Sequence, residues 1–284
     1  MPPRASWIPG ATYPSAAARP RTAASRWVRA CVGGHVYGRS MNVVLIPGFW
    51  LDASSWAPVS AALEAAGHTP HPVTPLGAGG AADEVAGITL ADQAAAVAEL
   101  IDGMDGPFVV VGHSGGGAVA HAVADLRPDR VEQVVYVDSG PLGEGGVVND
   151  ELPVVDGVVP LPDWGVFEEE ELEGLTDEIR ADVRARALSV PPLVANGPQR
   201  LHDERRYEVP VTVITSTMPE AVLRDLVAKD HPYVRELARI RDVTIVELPT
   251  GHWPQLSRPD DLAAAVVAAV QGEADAEEAM AVPT

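Results

Sequence analysis

From residue 41 onward, short unbroken apolar runs alternate with longer stretches in which apolar positions recur every three or four residues. NVVLIPG (42–48), PFVVVG (107–112), VEQVVYVDSG (131–140), VPVTVIT (209–215) and VTIVELP (243–249) are the runs. Their β-branched content predicts the strands of a parallel sheet flanked by helices, and NVVLIPG reads as a strand buried on both faces. HTPHPVTP (68–75) reads as a shorter strand limited by its prolines. Between the runs lie helical patterns. ASSWAPVSAALEAAG (53–67) has Ser54 or Ser55 available as cap and Gly67 as stop. In ITLADQAAAVAELIDG (88–103), Thr89 and Asp92 form a capping box. Further helices are predicted over 115–126, over a region spanning about 219–240, and over SRPDDLAAAVVAAVQG (257–272). The alternation predicts an α/β fold of six mostly parallel strands flanked by helices. The rhythm breaks over 141–208, where prolines and an acidic EEEELEG surround one predicted helix near 176–188. That stretch reads as an insertion, a cap or lid over the sheet.

The ends of the chain do not share this pattern. Residues 1–40 are rich in Ala, Pro, Ser and Arg and lack both periodicities and a secretory apolar core. They read as a disordered extension or a start codon set too far upstream, with the folded domain beginning near Met41 and running to 272. Residues 273–284 read as a disordered acidic tail.

Charge narrows the partners. The net charge is −20, although residues 1–40 carry six arginines and no acid. So acidic a body repels nucleic acid and anionic membranes, and neither is expected as a partner. No apolar run approaches the roughly 20 residues of a membrane span. The single cysteine, Cys31, excludes an internal disulfide framework and a multi-cysteine zinc site. It is consistent with a reducing cytoplasm, where we place the protein, without metal or cofactor, as a monomer or homodimer.

The stretch VVVGHSGGGAVAH (109–121) carries the candidate chemistry. A phosphate-cradling P-loop needs a lysine at its end, and the one lysine is Lys229. A dinucleotide site is matched literally by Gly115, Gly117 and Ala120, with Asp138 ending the next strand. There the first glycine falls past the strand, where the tight turn should be complete. The Tyr-x-x-x-Lys pair of short-chain dehydrogenases is also missing, since Asp225 stands four residues before Lys229. The third reading takes Gly112 to Gly116 as G-x-S-x-G, with Ser114 on a sharp strand-to-helix turn whose flanking positions tolerate no side chain. That turn lifts the hydroxyl clear of the sheet and directs the Gly115 N–H and the positive helix end toward a developing oxyanion. A bare G-x-S-x-G is weak; behind FVVV and ahead of a helix it is specific. A serine hydroxyl needs an imidazole base. Of eight histidines, His252 in LPTGHWPQ follows the last strand, where a loop carries it over the strand ends toward Ser114.

With IPGFW after the first strand, GHSGG at the turn and GHW after the last strand, residues 41–272 resemble the α/β-hydrolase superfamily, in its small-esterase and hydroxynitrile-lyase-like branch. The resemblance implies a serine hydrolase that cleaves an ester or related acyl bond through Ser114, His252 and an acid. The position usual for the acid, after the strand at 209–215, holds Pro219, with Glu220 beside it. Asp138 is the other candidate, placed as in a minority of relatives. Each also has a plain structural role, Glu220 in a helix first turn and Asp138 at a strand end. The resemblance makes the Phe49 N–H the second oxyanion donor, beside Gly115. Where relatives often have His-Gly, this chain has Pro47-Gly48. Trp50, His113, Trp164 and Trp253 are candidate pocket residues, and Trp56 lies nearby in sequence; ordinary packing is the alternative for each tryptophan. They point to a small apolar substrate. Serine at the turn speaks against a haloalkane dehalogenase, and the absence of lysine near His252 against a hydroxynitrile lyase. Two other readings stay open, a binding protein of this fold with little turnover and an NAD(P)-dependent oxidoreductase.

Overall fold

In the computed structural model, which describes residues 39–272, the apolar runs form one sheet. The readings of residues 1–40 and of the 273–284 tail fall outside the described residues, save for residues 39 and 40. The strands are β1 (Asn42–Ile46), β2 (Thr69–Pro72), β3 (Phe108–His113), β4 (Val131–Val137), β5 (Val211–Thr215) and β6 (Val243–Glu247). They pair in the order β2-β1-β3-β4-β5-β6, every pair parallel.

Successive side chains on a strand point to opposite faces, and this sorts the apolar runs into two cores. Val43, Leu45, Val109, Val111, Val135 and Val137 face one side, against Trp56, Leu63, Leu262 and Val266. The helices Ala57–Ala65 and Pro259–Val270 cover it. Val44, Ile46, Val110, Val134, Tyr136 and Val213 face the other. There the helices Leu90–Asp102, Gly115–Leu126 and Glu220–Ala228 pack. The central helix, small and apolar apart from His121 and Asp125, is enclosed all round, buried from Gly115 to Asp125. β2, with prolines at two of its four positions, lies at the edge, where a missing N–H leaves no ladder bond unmade.

Local signals behave unevenly. The Thr89–Asp92 capping box forms as read. Neither Ser54 nor Ser55 caps the first helix: Asp52 accepts from the Ser54 N–H and starts a 3-10 turn, Ala53–Trp56, that runs into Ala57–Ala65. An aspartate one turn upstream outcompetes the serines because its carboxylate can take both the Ser54 N–H and the Ser54 hydroxyl. The region 219–240 breaks after Ala228, with Pro232 opening a separate turn ahead of the short helix Arg235–Ala238.

Between β4 and β5 the chain forms the helix Asp177–Arg186, capped by Thr176, the short helix Pro192–Asn196, and isolated bridges such as Val159 to Val190. Phe167, Leu175, Val183, Val190 and Val194 form a third core there with Trp50 and Trp253. Those tryptophans follow β1 and β6, so the segment packs on the loops at the carboxyl ends of the strands. The connections out of β1 and out of β3 diverge to opposite sides, because β2 lies beyond β1 and β4 beyond β3. That reversal opens a crevice at the strand ends, the place where open α/β sheets bind ligands. Among the described residues no helix is long and apolar enough to cross a membrane.

Candidate active site

Ser114 stands where β3 turns into the central helix, at φ 51° and ψ −125°. A non-glycine residue at such a φ is held by its surroundings against a cost of about 1–3 kcal/mol. The surroundings here are backbone. A Cβ on Gly112 would lie 2.7 Å from Gly117 Cα and inside the radius of the Gly116 carbonyl, and one on Gly116 would lie 2.5 Å from the Pro47 carbonyl oxygen. The turn is closed on β4 by two bonds: the Ser114 N–H donates to the Val137 carbonyl (3.2 Å) and the Ser139 hydroxyl to the Ser114 carbonyl (2.7 Å).

Three side chains meet at this point. Ser114 Oγ donates to His252 Nε2 over 2.8 Å, and His252 Nδ1–H donates to Asp138 Oδ2 over 2.7 Å. Asp138 is fully buried, at φ 40° just past β4. Its Oδ1 accepts the N–H groups of Ser216 and Thr217, each at 2.9 Å, while the Thr217 hydroxyl lies 3.1 Å and 3.0 Å from the two carboxylate oxygens. Burial opposes the charged carboxylate, but the bond and charge of His252 and the two N–H groups outweigh it and hold the Asp138 pKa below its ordinary value. For His252 burial favours the neutral ring; the bond to Asp138, its charge and that of Glu171 override this and raise the pKa.

The loop carrying His252 is pinned on both sides. Its N–H donates to the Glu171 carbonyl (2.8 Å), and its carbonyl accepts from His113 Nε2–H (2.7 Å), whose Nδ1 accepts from the Gln255 amide (2.9 Å). Burial, then the nearby charge of His252, pushes the His113 pKa down to about 3, which fixes it as a neutral ring with both nitrogens occupied.

A cavity of about 590 Å³ opens at Ser114, walled near the hydroxyl by Phe49, Trp50, Leu152 and Phe167. The Phe49 ring lies so close over Gly115 that a Cβ there would come within 2.5 Å of it. The Gly115 N–H opens the helix and has no carbonyl four residues back within it. Phe49, Trp50 and Gly115 line this cavity. His113, Trp164 and Trp253 do not line it. His113 follows the odd-numbered parity of β3 and points behind the His252 loop. Trp253 packs edge-on against His252 (4.9 Å) and against Phe167 (5.1 Å), and Trp164 meets Phe167 at a tilt (5.7 Å). Trp56 is wholly buried beneath the sheet. Glu220 lies apart from the imidazole, its carboxylate bonded to Arg224 (2.7 Å). Sequence reasoning missed Ser216 and Thr217, whose small hydroxyl-bearing run directly after β5 was the available signal, and Glu171, which had none.

Asp138, which a dinucleotide site would turn toward a ribose, is committed to the imidazole and the β5 loop. No group of three or more potential metal ligands is arranged around a common point among the described residues.

Residues 43–265 match the model of the alpha/beta hydrolase family. The chain belongs to that family. This α/β hydrolase is 43% identical over 77 residues to Lipase LipV of Mycobacterium tuberculosis (strain ATCC 25618 / H37Rv), a stretch covering 27% of this chain and 28% of the lipase. The chain thus matches little more than a quarter of the length of that curated relative. Among solved structures it resembles a pyrethroid hydrolase from Sphingobium faniae JZ-2, with TM-score 0.58, 21% identity and coverage of 84% of this chain and 98% of that one. It also resembles polyneuridine aldehyde esterase, with TM-score 0.60, 17% identity and coverage of 82% and 99%. At those identities the likeness is one of fold.

Proposed function

We propose that this α/β hydrolase cleaves an ester bond of a small, largely apolar substrate through a covalent acyl-enzyme. The observation that carries the reading is the unbroken chain of hydrogen bonds from Ser114 Oγ through His252 to Asp138. Ser114 Oγ attacks the carbonyl carbon as its proton passes to His252 Nε2. The imidazolium that forms is stabilised by Asp138, which also fixes the starting tautomer with the proton on Nδ1. The oxyanion is received by the N–H groups of Gly115 and Phe49, at the positive end of the central helix. His252 returns the proton to the leaving alcohol, then activates water to release the acid. Residues 141–208 act as a cap, shielding the acyl group from bulk water. The relatives, a lipase, a pyrethroid hydrolase and an esterase, agree with ester cleavage.

The test is Ser114→Ala, assayed for labelling by a fluorophosphonate probe and for turnover of p-nitrophenyl acetate. Labelling disappears and kcat falls by several orders of magnitude. Turnover within tenfold of the native protein, or tight binding of NAD(P) in its place, overturns the reading.

A further inference from the structure

The cavity does not end at the aromatic wall. It continues along the central helix to Arg206, Glu236 and Arg239, residues that the chemistry at Ser114 does not use. Ala118, one turn past Ser114, lines the floor, and His121 follows on the same face. Two turns of helix therefore separate Ser114 from His121, roughly 10 Å.

At that distance sits a buried polar network. Tyr136 O–H donates to His121 Nδ1 (2.9 Å), and His121 Nε2–H donates to Glu236 Oε1 (3.0 Å). The same oxygen accepts from Arg206 Nε (3.0 Å) and the Tyr207 hydroxyl (3.0 Å). Arg206 also binds Asp125 (3.1 Å), so one guanidinium serves two carboxylates. The other charged residues on this wall have partners of their own: Arg239 with Glu204, Arg235 with Asp230, and Glu144 with Arg200. One negative charge is thus in excess. Burial works against it, but the donors of His121, Arg206 and Tyr207 hold the Glu236 pKa down to about 2. Every one of these bonds ends on Oε1. Oε2 instead faces Gly143, only 3.1 Å from where a Cβ on that residue would stand, and both residues line the cavity.

We propose that this end of the cavity is a subsite for a hydrogen-bond donor. The substrate carries a hydroxyl or protonated amine roughly 10 Å from the reacting carbonyl, received by Glu236 Oε2 through the gap left by Gly143. An ionised acceptor, fixed by three donors on its other oxygen and set in an apolar cavity, discriminates strongly between a donor and a methyl group. The inference rests on the hydrolase reading for the position of the carbonyl.

The experiment measures binding to the Ser114→Ala protein by calorimetry, with two matched pairs that place the long chain on either side of the ester. These are methyl 8-hydroxyoctanoate against methyl nonanoate, and 6-hydroxyhexyl acetate against heptyl acetate. In at least one pair the hydroxyl member binds about tenfold or more tightly, and adding Gly143→Ala or Glu236→Gln abolishes the preference. Gly143→Ala crowds Oε2 and keeps all three donors of Oε1 present, and with a cooperative thermal melt it serves even if Glu236→Gln fails to fold. Equal or tighter binding of the methyl member in both pairs, binding of none of the four, or a preference untouched by Gly143→Ala overturns the subsite. Turnover of p-nitrophenyl acetate by the native chain is measured alongside: its absence removes the hydrolase reading whichever way the binding falls.

Discussion

Replacing Asp138 by asparagine tests the proposed chemistry at its most constrained atom. Oδ1 of Asp138 accepts two backbone N–H groups, from Ser216 and Thr217, and an amide nitrogen cannot take its place. The asparagine must therefore turn its oxygen to that cradle and present its NH2 to His252 Nδ1. Facing a donor, Nδ1 becomes the acceptor, and the ring proton moves to Nε2. Nε2 then donates to Ser114 Oγ where it should accept, and the base is lost although no atom has moved appreciably. The resulting loss in kcat is about 10⁴-fold, or roughly 5.5 kcal/mol in the barrier. Because the cradle stays filled, Tm falls by only a few degrees. Steady-state hydrolysis of p-nitrophenyl acetate beside a thermal melt separates the two effects. Glu220→Gln, which disturbs only a partly exposed pair with Arg224, changes kcat less than twofold. An Asp138→Asn enzyme within tenfold of native, or a comparable loss in Glu220→Gln, refutes the argument.

Other consequences are open to measurement. Since His252 must be neutral to act and its pKa is raised, activity is lost as pH falls through a value above the ordinary 6.5. Glu171→Gln removes one of the charges that raise it, so the acid limb of kcat/KM moves to lower pH; an unmoved or raised limb contradicts the assignment. Gly112→Ala forces a methyl into the backbone of Gly116 and Gly117, and the cost exceeds about 4 kcal/mol. A denaturant midpoint close to native would show that the turn has room we do not see.

The parts of this protein that were legible in its sequence are those in which one residue's neighbours in the chain are also its neighbours in space. The strands could be read because burial on both faces demands unbroken apolar runs, and β3 followed by glycines announces a turn. His252 could be placed because a loop after a strand must lie over the strand ends. His113, a candidate pocket residue, lies elsewhere: the two-residue period of β3 sends its ring behind the loop and away from the cavity. Asp138 and Glu220 stayed undecided because the contact that separates them, His252 with Asp138, joins residues 114 positions apart. The segment between β4 and β5 was the least legible. Its core joins Trp50, Phe167, Val190 and Trp253, which no local period connects.

The bond between the His252 N–H and the Glu171 carbonyl has a consequence for traffic through the site. Glu171 belongs to the overlying stretch 168–173, and Gly251 sits so tightly beneath it that a Cβ would lie 2.5 Å from two of its carbonyl oxygens. Lifting that stretch away from the sheet cuts an anchor of the base itself. A substrate admitted by that route would meet a His252 loop lacking this anchor.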